Sequence, residues 1–335
     1  MSSSLLGVAA FWCANVAQMP RAVARHARNH ALAPALALLY SAQPDMNDMP
    51  DLPQPPSRPT TGTEPVMRLV PQTGLSYFGR ALHDITQGFH FRTLALTLAW
   101  LDIRLRYRGS VLGPFWLTGT TTIMIAAMGV LYSYLLNVDM HKYLPFLTFS
   151  VVLWSLASGV LREGCTAFTA ASSLIHSARM PYTLHVIRVE MRNILVLAHN
   201  IPVVIGVFLW FHAAPQNLTT LLPACALWLV DCFFMIMLLG VLGARFRDTS
   251  PIVASLTQIF FFVTPVIWAP ELMTIGQNWL LLDPFFPLIE ILRAPITGDV
   301  VQVAVWPAAL AWSALLAVVT FCLFARMRTR LAYWI

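Results

Sequence analysis

The chain of 335 residues is 58% hydrophobic and only 11% charged, with a formal net charge of +6. A soluble globular domain carries about 25% charged residues, so this composition excludes an ordinary soluble fold and points to a membrane. The positive balance is not a nucleic-acid footprint, because the arginines stand at the ends of apolar blocks, where they set orientation in a bilayer.

The first 66 residues differ from the rest. Residues 5–19 form an apolar patch too short to span, followed by Arg21, Arg25 and Arg28. A secretory signal carries its charge before the apolar run, so this is not one. Residues 41–65 are rich in Pro, Asp, Ser and Thr and read as a disordered linker. We read 1–66 as a disordered or over-long N-terminal extension, with Met46, Met49 and Met67 as internal start candidates and a regulatory tail as the alternative.

Residues 67–110 read as a cytoplasmic tail and an amphipathic helix lying in the interface. Within 80–110, Phe91, Leu94, Leu98, Leu101 and Leu105 recur at steps of three and four and predict one apolar stripe. Arg92, Arg104, Arg106 and Arg108 form its basic counterpart. Six spans are predicted in 111–335, at about 113–136, 144–162, 186–211, 218–243, 251–269 and 301–325. Between the last two, 270–299 is apolar but cut by Pro270, Pro284, Pro287 and Pro295 into pieces too short to cross. Counting Lys and Arg beside the spans puts 14 arginines inside, against Lys142 and Arg293 outside, when the N-terminus is cytoplasmic. Both ends are therefore placed in the cytoplasm. The fold class is all-α integral membrane: six transmembrane helices, an amphipathic interface helix, and two short outer re-entrant or gate helices.

Chemistry-bearing residues are few. The single lysine, Lys142, follows His141 rather than glycine, so the chain has no P-loop GxxxxGK[ST], and ATP-driven work would require a separate ATPase subunit. Cys13, Cys165, Cys225, Cys232 and Cys322 show neither paired nor metal-ligand spacing, and no metal site is expected. Asp231 is the deepest acid, with His199, Asn200 or Arg192 as candidate partners and a structural or functional role. Arg188, Glu190 and Arg192 are expected to pair locally at the inner end of the third span. Gly206, Gly240 and Gly243 mark close helix approach. The inner loop 163–185, closed by Arg179-Met180-Pro181, reads equally as a docking helix or an ordinary interfacial loop.

The run Asp102-Ile103-Arg104-Leu105-Arg106-Tyr107-Arg108-Gly109-Ser110-Val111-Leu112-Gly113-Pro114-Phe115-Trp116 resembles the start of the first span in type-2 ABC export permeases, the membrane subunits of O-antigen, capsular-polysaccharide and teichoic-acid exporters. Arg179-Met180-Pro181, Arg245-Phe246-Arg247-Asp248, Thr264-Pro265-Val266-Ile267-Trp268 and Asp283-Pro284-Phe285-Phe286-Pro287-Leu288-Ile289-Glu290 follow in the family's order, over roughly 80–335. The N-terminal extension departs from it. The resemblance implies a homodimer working with two ABC ATPase subunits, which hold ATP and magnesium; this chain binds no cofactor and no nucleic acid. It implies ATPase coupling through Asp102, Arg104, Arg106, Arg108, Arg179 and Pro181, and an outer gate including Pro284, Pro287 and Glu290. It also implies a bacterial inner-membrane location and passage of a lipid-linked glycan between two permeases. Trp116, Tyr132, Tyr134, Phe260, Phe261, Phe262 and Trp268 are candidates for that path, with packing or an interfacial belt as the plainer reading.

Three other classes compete. An ion-coupled secondary transporter would use several midplane carboxylates or two related halves, and this chain offers one deep acid and no evident repeat. A membrane-embedded transferase needs clustered acid, base or metal ligands, which are lacking here. A channel would show charged rings or a glycine-rich filter.

Overall fold

The structure is a computed structural model describing residues 76–110, 113, 115–178, 180–212, 218–272, 277–298 and 302–335. The expectations for the extension 1–66, for 67–75 and for Arg179 lie outside the described residues. In chain order the helices are α1 (Ser76–His90), α2 (Arg92–Arg106), α3 (Phe115–Leu136), α4 (Met140–Gly164), α5 (Ser172–Ser177), α6 (Tyr182–Trp210), α7 (Leu218–Arg245), α8 (Thr249–Val263), α9 (Phe286–Thr297) and α10 (Val305–Trp334). Short 3-10 turns precede α5 and lie between α8 and α9. No strand occurs among the described residues.

The amphipathic segment is two helices rather than one. They break at Phe91, whose N–H is shared between the Gln87 and Gly88 carbonyls at 3.2 and 3.1 Å. The predicted stripe is also corrected: Phe91, Leu94, Leu101 and Leu105 are exposed, while Ala81, Ala95, Ala99 and Ile103 are buried. Small residues face inward because the helices approach closely. A Cβ on Gly88 would lie 2.5 Å from the Cβ of Thr183 at the start of α6. Asp84, one turn before Gly88, is buried on the same face. It accepts from the N–H groups of Tyr182 and Thr183 at 3.3 and 3.0 Å, and from the Thr183 hydroxyl at 2.8 Å. Those N–H groups belong to the first turn of α6, where no intrahelical acceptor exists. Asp84 thus caps α6 from a different helix, and its carboxylate also receives Arg328 of α10 at 2.9 Å.

Among the described residues, four helices are long and apolar enough to cross a membrane: α4, α6, α7 and α10. α3 has 22 residues and no charged side chain. The predicted span 251–269 is shorter in the structure. α8 has 15 residues, about 22 Å at 1.5 Å per residue, against a hydrocarbon core of roughly 30 Å. The stop is local: Thr264 precedes Pro265, whose ring drives it out of the helical region, and Thr264 sits at ψ 136°.

The irregular chain between α8 and α9 exposes carbonyls that helices would have satisfied, and side chains of the long helices take them up. Tyr143 of α4 donates to Ile267 O at 2.7 Å, and Trp312 of α10 donates to Leu281 O at 3.0 Å. Trp228 of α7 reaches Leu288 O, in the first turn of α9, at 2.7 Å. Trp312 therefore anchors non-helical backbone and Trp228 the first turn of α9, besides their apolar filling. On the inner side, a Cβ on Gly243 of α7 would lie 1.9 Å from Cys165 O, and one on Gly240 would meet the Phe168 ring at 2.9 Å. Gly206 faces open space, so of the three glycines singled out only these two permit close approach.

Candidate functional site

The end of the bundle where α2, α4 and α6 meet carries an ion-pair network joining three segments distant in sequence. Asp102 of α2 accepts from Arg188 Nε at 2.8 Å and Nη2 at 2.5 Å, and from Arg192 Nη1 at 3.0 Å. Glu163, at the inner end of α4, accepts from Arg106 of α2 at 2.7 Å, from Arg192 at 2.8 Å and from Asn193 at 3.0 Å. Two carboxylates and three guanidiniums alternate, so each charge meets an opposite one, and Arg188 grips Asp102 in two-pronged geometry. Arg188 and Arg192 are one turn apart and share a face of α6. Glu190 lies between them in sequence but on the opposite side, buried and, among the described residues, without an ion pair. The expected local pairing of Arg188, Glu190 and Arg192 is thereby corrected: two residues along a helix rotate a side chain by about 200°, so neighbours in sequence cannot meet.

Burial raises the pKa of Asp102, but hydrogen bonds and charge from Arg188 and then Arg192 outweigh it and hold the carboxyl below its usual range. A carboxyl depressed on folding stabilises at every pH above its unfolded value of about 3.9 and loses that contribution as pH falls through the folded value. Melting temperature in detergent should therefore receive no change from this group between pH 7 and 5. It should then fall below about pH 4, with a shallower fall in Asp102→Asn. A fall equally steep in both proteins would remove Asp102 from the explanation.

The structure separates the residues assigned to ATPase coupling. Half-buried Asp102 and exposed Arg106 pair into the network, whereas Arg104 and Arg108 are exposed and form no ion pair among the described residues. Pro181 is buried at the N-cap of α6 with φ −63°, an angle its ring fixes. The inner loop's helix, α5, has six residues and no buried side chain. Asp84 and Glu163 were not singled out as site residues. The available signal for Asp84 was its phase with Ala81 and Gly88; Glu163 had only its place at a span end.

The outer segment has its own polar centre. Arg293 was placed among outer loop charges, but it is fully buried, because α9 folds back against α4 and the turn after α8. It donates to Pro265 O at 2.7 Å and Ser150 Oγ at 3.1 Å, pairs with Glu290, and lies 4.2 Å above the Phe146 ring. Glu290 is thus half of an inward-facing ion pair. Pro287 is buried near the start of α9 and Pro284 lies before it, lining a cleft of about 270 Å³ with Asp231.

Asp231 pairs with neither His199, Asn200 nor Arg192. One oxygen accepts from Ser313 of α10 at 2.7 Å, and the other, Oδ1, is buried without a hydrogen-bond partner. The aromatic candidates divide. Trp116, Tyr134 and Phe262 are exposed, on helices α3 and α8 that both pack on α4. Phe260 and Phe261 instead pack against Phe285 and Trp154, at ring separations of 5.2 and 5.9 Å. Tyr132 is half-buried, and Trp268 donates its indole N–H to Phe262 O at 3.2 Å.

Ile123, Leu131 and Leu135 on α3, Leu209 on α6, Leu222 on α7 and Val318 on α10 are each more than half exposed. Apolar surface of that extent on long apolar helices belongs in hydrocarbon. With the four span-length helices, it defines a multi-pass membrane protein of the all-α class. The chain is similar to the O-antigen export system permease protein RfbA of Myxococcus xanthus, at 23% identity over 181 residues, covering 54% of this chain and 70% of that protein. Two RfbA proteins of Klebsiella pneumoniae match at 21% and 22% over 183 residues, each covering 54% of this chain and 70% of the relative. No family model matches. These relatives support the resemblance to ABC-2 type polysaccharide-export permeases.

Proposed function

We propose that this chain is the permease subunit of an ATP-driven exporter carrying a lipid-linked cell-envelope polysaccharide, of O-antigen or capsule type, across the bacterial inner membrane. The similarity to three permeases named for O-antigen export carries the reading. In it, α3 and α8 complete six spans, the segment between α8 and α9 is re-entrant, and both termini are cytoplasmic. Two copies form the exporter, with the exposed Trp116, Tyr134 and Phe262 facing the path between them. ATP and magnesium sit on a separate ABC ATPase.

The inner network supplies the mechanical link. Asp102 ties α2 to α6 through Arg188 and Arg192, and Arg106 ties it to α4 through Glu163. An ATPase pushing on α2 would thereby displace the inner ends of two spans together. Coupling of this kind needs a physically connected network whose arrangement both sites bias. Within α2, Arg104 and Arg108 are the docking charges and Asp102 and Arg106 the transmission.

Mild-detergent purification of the tagged protein from its native membranes should bring down a P-loop subunit with vanadate-sensitive ATP hydrolysis. Arg104→Glu should reduce the co-purified ATPase by roughly tenfold, the equivalent of about 1.4 kcal/mol, with the permease still inserted. Arg106→Glu should instead lower the yield of folded permease, since it sets a second carboxylate against Glu163. Absence of any ATPase under conditions that preserve other ABC complexes would overturn the proposal. It would favour an ion-coupled transporter, for which the unpartnered Asp231 Oδ1 and the buried Glu190 are the observations in favour.

A further inference from the structure

The outer ends of α4 and α6, the turn after α8, α9 and the start of α10 enclose a cavity of about 730 Å³. That volume lies within the range of roughly 300–1,000 Å³ usual for sites that hold a small molecule or a short piece of a polymer. From this cavity we propose a saccharide-binding site, which engages one or a few sugar residues of the glycan on the outer side of the membrane. The inference rests on the export reading and adds to it a specific place where substrate is held.

Three features of the lining select this ligand class. The first is charge balance. The lining holds both signs, with Asp139, Glu271 and Lys142 beside the Glu290–Arg293 pair, so neither an anion nor a cation is strongly favoured as such. A neutral ligand rich in hydroxyls uses both signs, because each hydroxyl donates to a carboxylate and accepts from an ammonium or guanidinium. The second is aromatic surface. Tyr143, Phe146, Phe211 and Phe286 are among the lining residues; Phe211 is the half-buried one of the four, and His141 stands edge-on to it at 5.3 Å. Sugar rings carry apolar C–H faces that pack on such surfaces. The third is an unfilled donor beneath the floor. Arg293 is fully buried with both terminal nitrogens engaged, yet among the described residues its Nε has no partner. A buried N–H without an acceptor is costly until something completes it. A turn of the Arg293 side chain toward the cavity would let a sugar oxygen do so.

The position suits a holding site for polymer leaving the path. Glu290 and Arg293 lie on α9, and the same guanidinium is bonded to Pro265 O in the turn after α8. Saccharide seated here would contact the outer broken segment and α4 at once. Apolar lipid tails would gain nothing from the charged rim.

The test is photo-crosslinking in cells of the native host. His212 and Glu271, at the rim, are each replaced by p-benzoylphenylalanine in the full chain. Leu310, an exposed apolar position on α10, serves as control. After irradiation, the purified permease is probed for covalently attached glycan. The rim positions should carry glycan at least roughly tenfold above Leu310, as for an occupancy difference of about 1.4 kcal/mol. Phe211→Ala in the His212 crosslinker background should reduce the signal. With the crosslinker placed in turn at Trp116, Tyr134 and Phe262, crosslinks there with none at the rim would overturn the site and leave the export reading standing. Crosslinks at no position, in cells whose surface glycan persists after the permease gene is deleted, would overturn both.

Discussion

Arg293→Met is expected to cost about 3–5 kcal/mol, because it leaves the Glu290 carboxylate buried and unpaired. The substitution also strips Pro265 O and Ser150 Oγ of a donor and removes the cation from the Phe146 ring. Thermal melting of the detergent-solubilised protein should show a drop of many degrees, and little folded protein should reach the membrane. The double variant Arg293→Met with Glu290→Gln separates charge from packing. Most of the loss should return, since a pair replaced by neutral groups of similar volume is far less costly than a lone buried charge. What remains should reflect the Pro265 carbonyl, at about 1–3 kcal/mol. A melting temperature unchanged in Arg293→Met would mean that the outer segment is held by its tryptophan and tyrosine anchors alone.

The second large effect belongs to Glu163. This side chain, 23% exposed, is the acceptor shared by Arg106, Arg192 and Asn193. Glu163→Ala should destabilise by about 2–3 kcal/mol, below the fully buried case because water reaches part of the network. Arg192 keeps Asp102, but Arg106 loses its carboxylate, and α2 keeps its link to α6 while losing the one to α4. Export should therefore fall further than stability alone requires. Glu163→Gln keeps the side-chain shape and one of the two acceptor oxygens without the charge and separates the two effects, with a smaller folding loss than Glu163→Ala and impaired surface display of glycan. Full export in Glu163→Ala protein that folds normally would show that α2 does not act through α4.

The two predictions concern residues with very different visibility in the sequence. Glu163 and Arg293 each looked like one more charge at the end of an apolar block. Nothing local marks Arg293 as buried, since its partners Ser150 and Pro265 lie 143 and 28 residues away. Asp84 is the same case, because it caps a helix that begins 98 residues later and binds Arg328 at a separation of 244. Even the amphipathic segment misled by size. Leu and Phe at helical spacing suggested the packed face, yet Ala81, Gly88, Ala95 and Ala99 form it, because close approach selects small side chains. The large residues are left for lipid or partner.

What the sequence by itself determined were properties set by short stretches of chain. Apolar block length against bilayer thickness gave the membrane class, arginine distribution gave the expected orientation, and the missing P-loop lysine required any ATPase to lie elsewhere. The tertiary structure alone decided which charges pair, which aromatics pack and which carbonyls the tryptophans satisfy. Helical periodicity fixes the direction of a side chain about its own axis, but its partner is chosen by how helices far apart in sequence come to lie side by side.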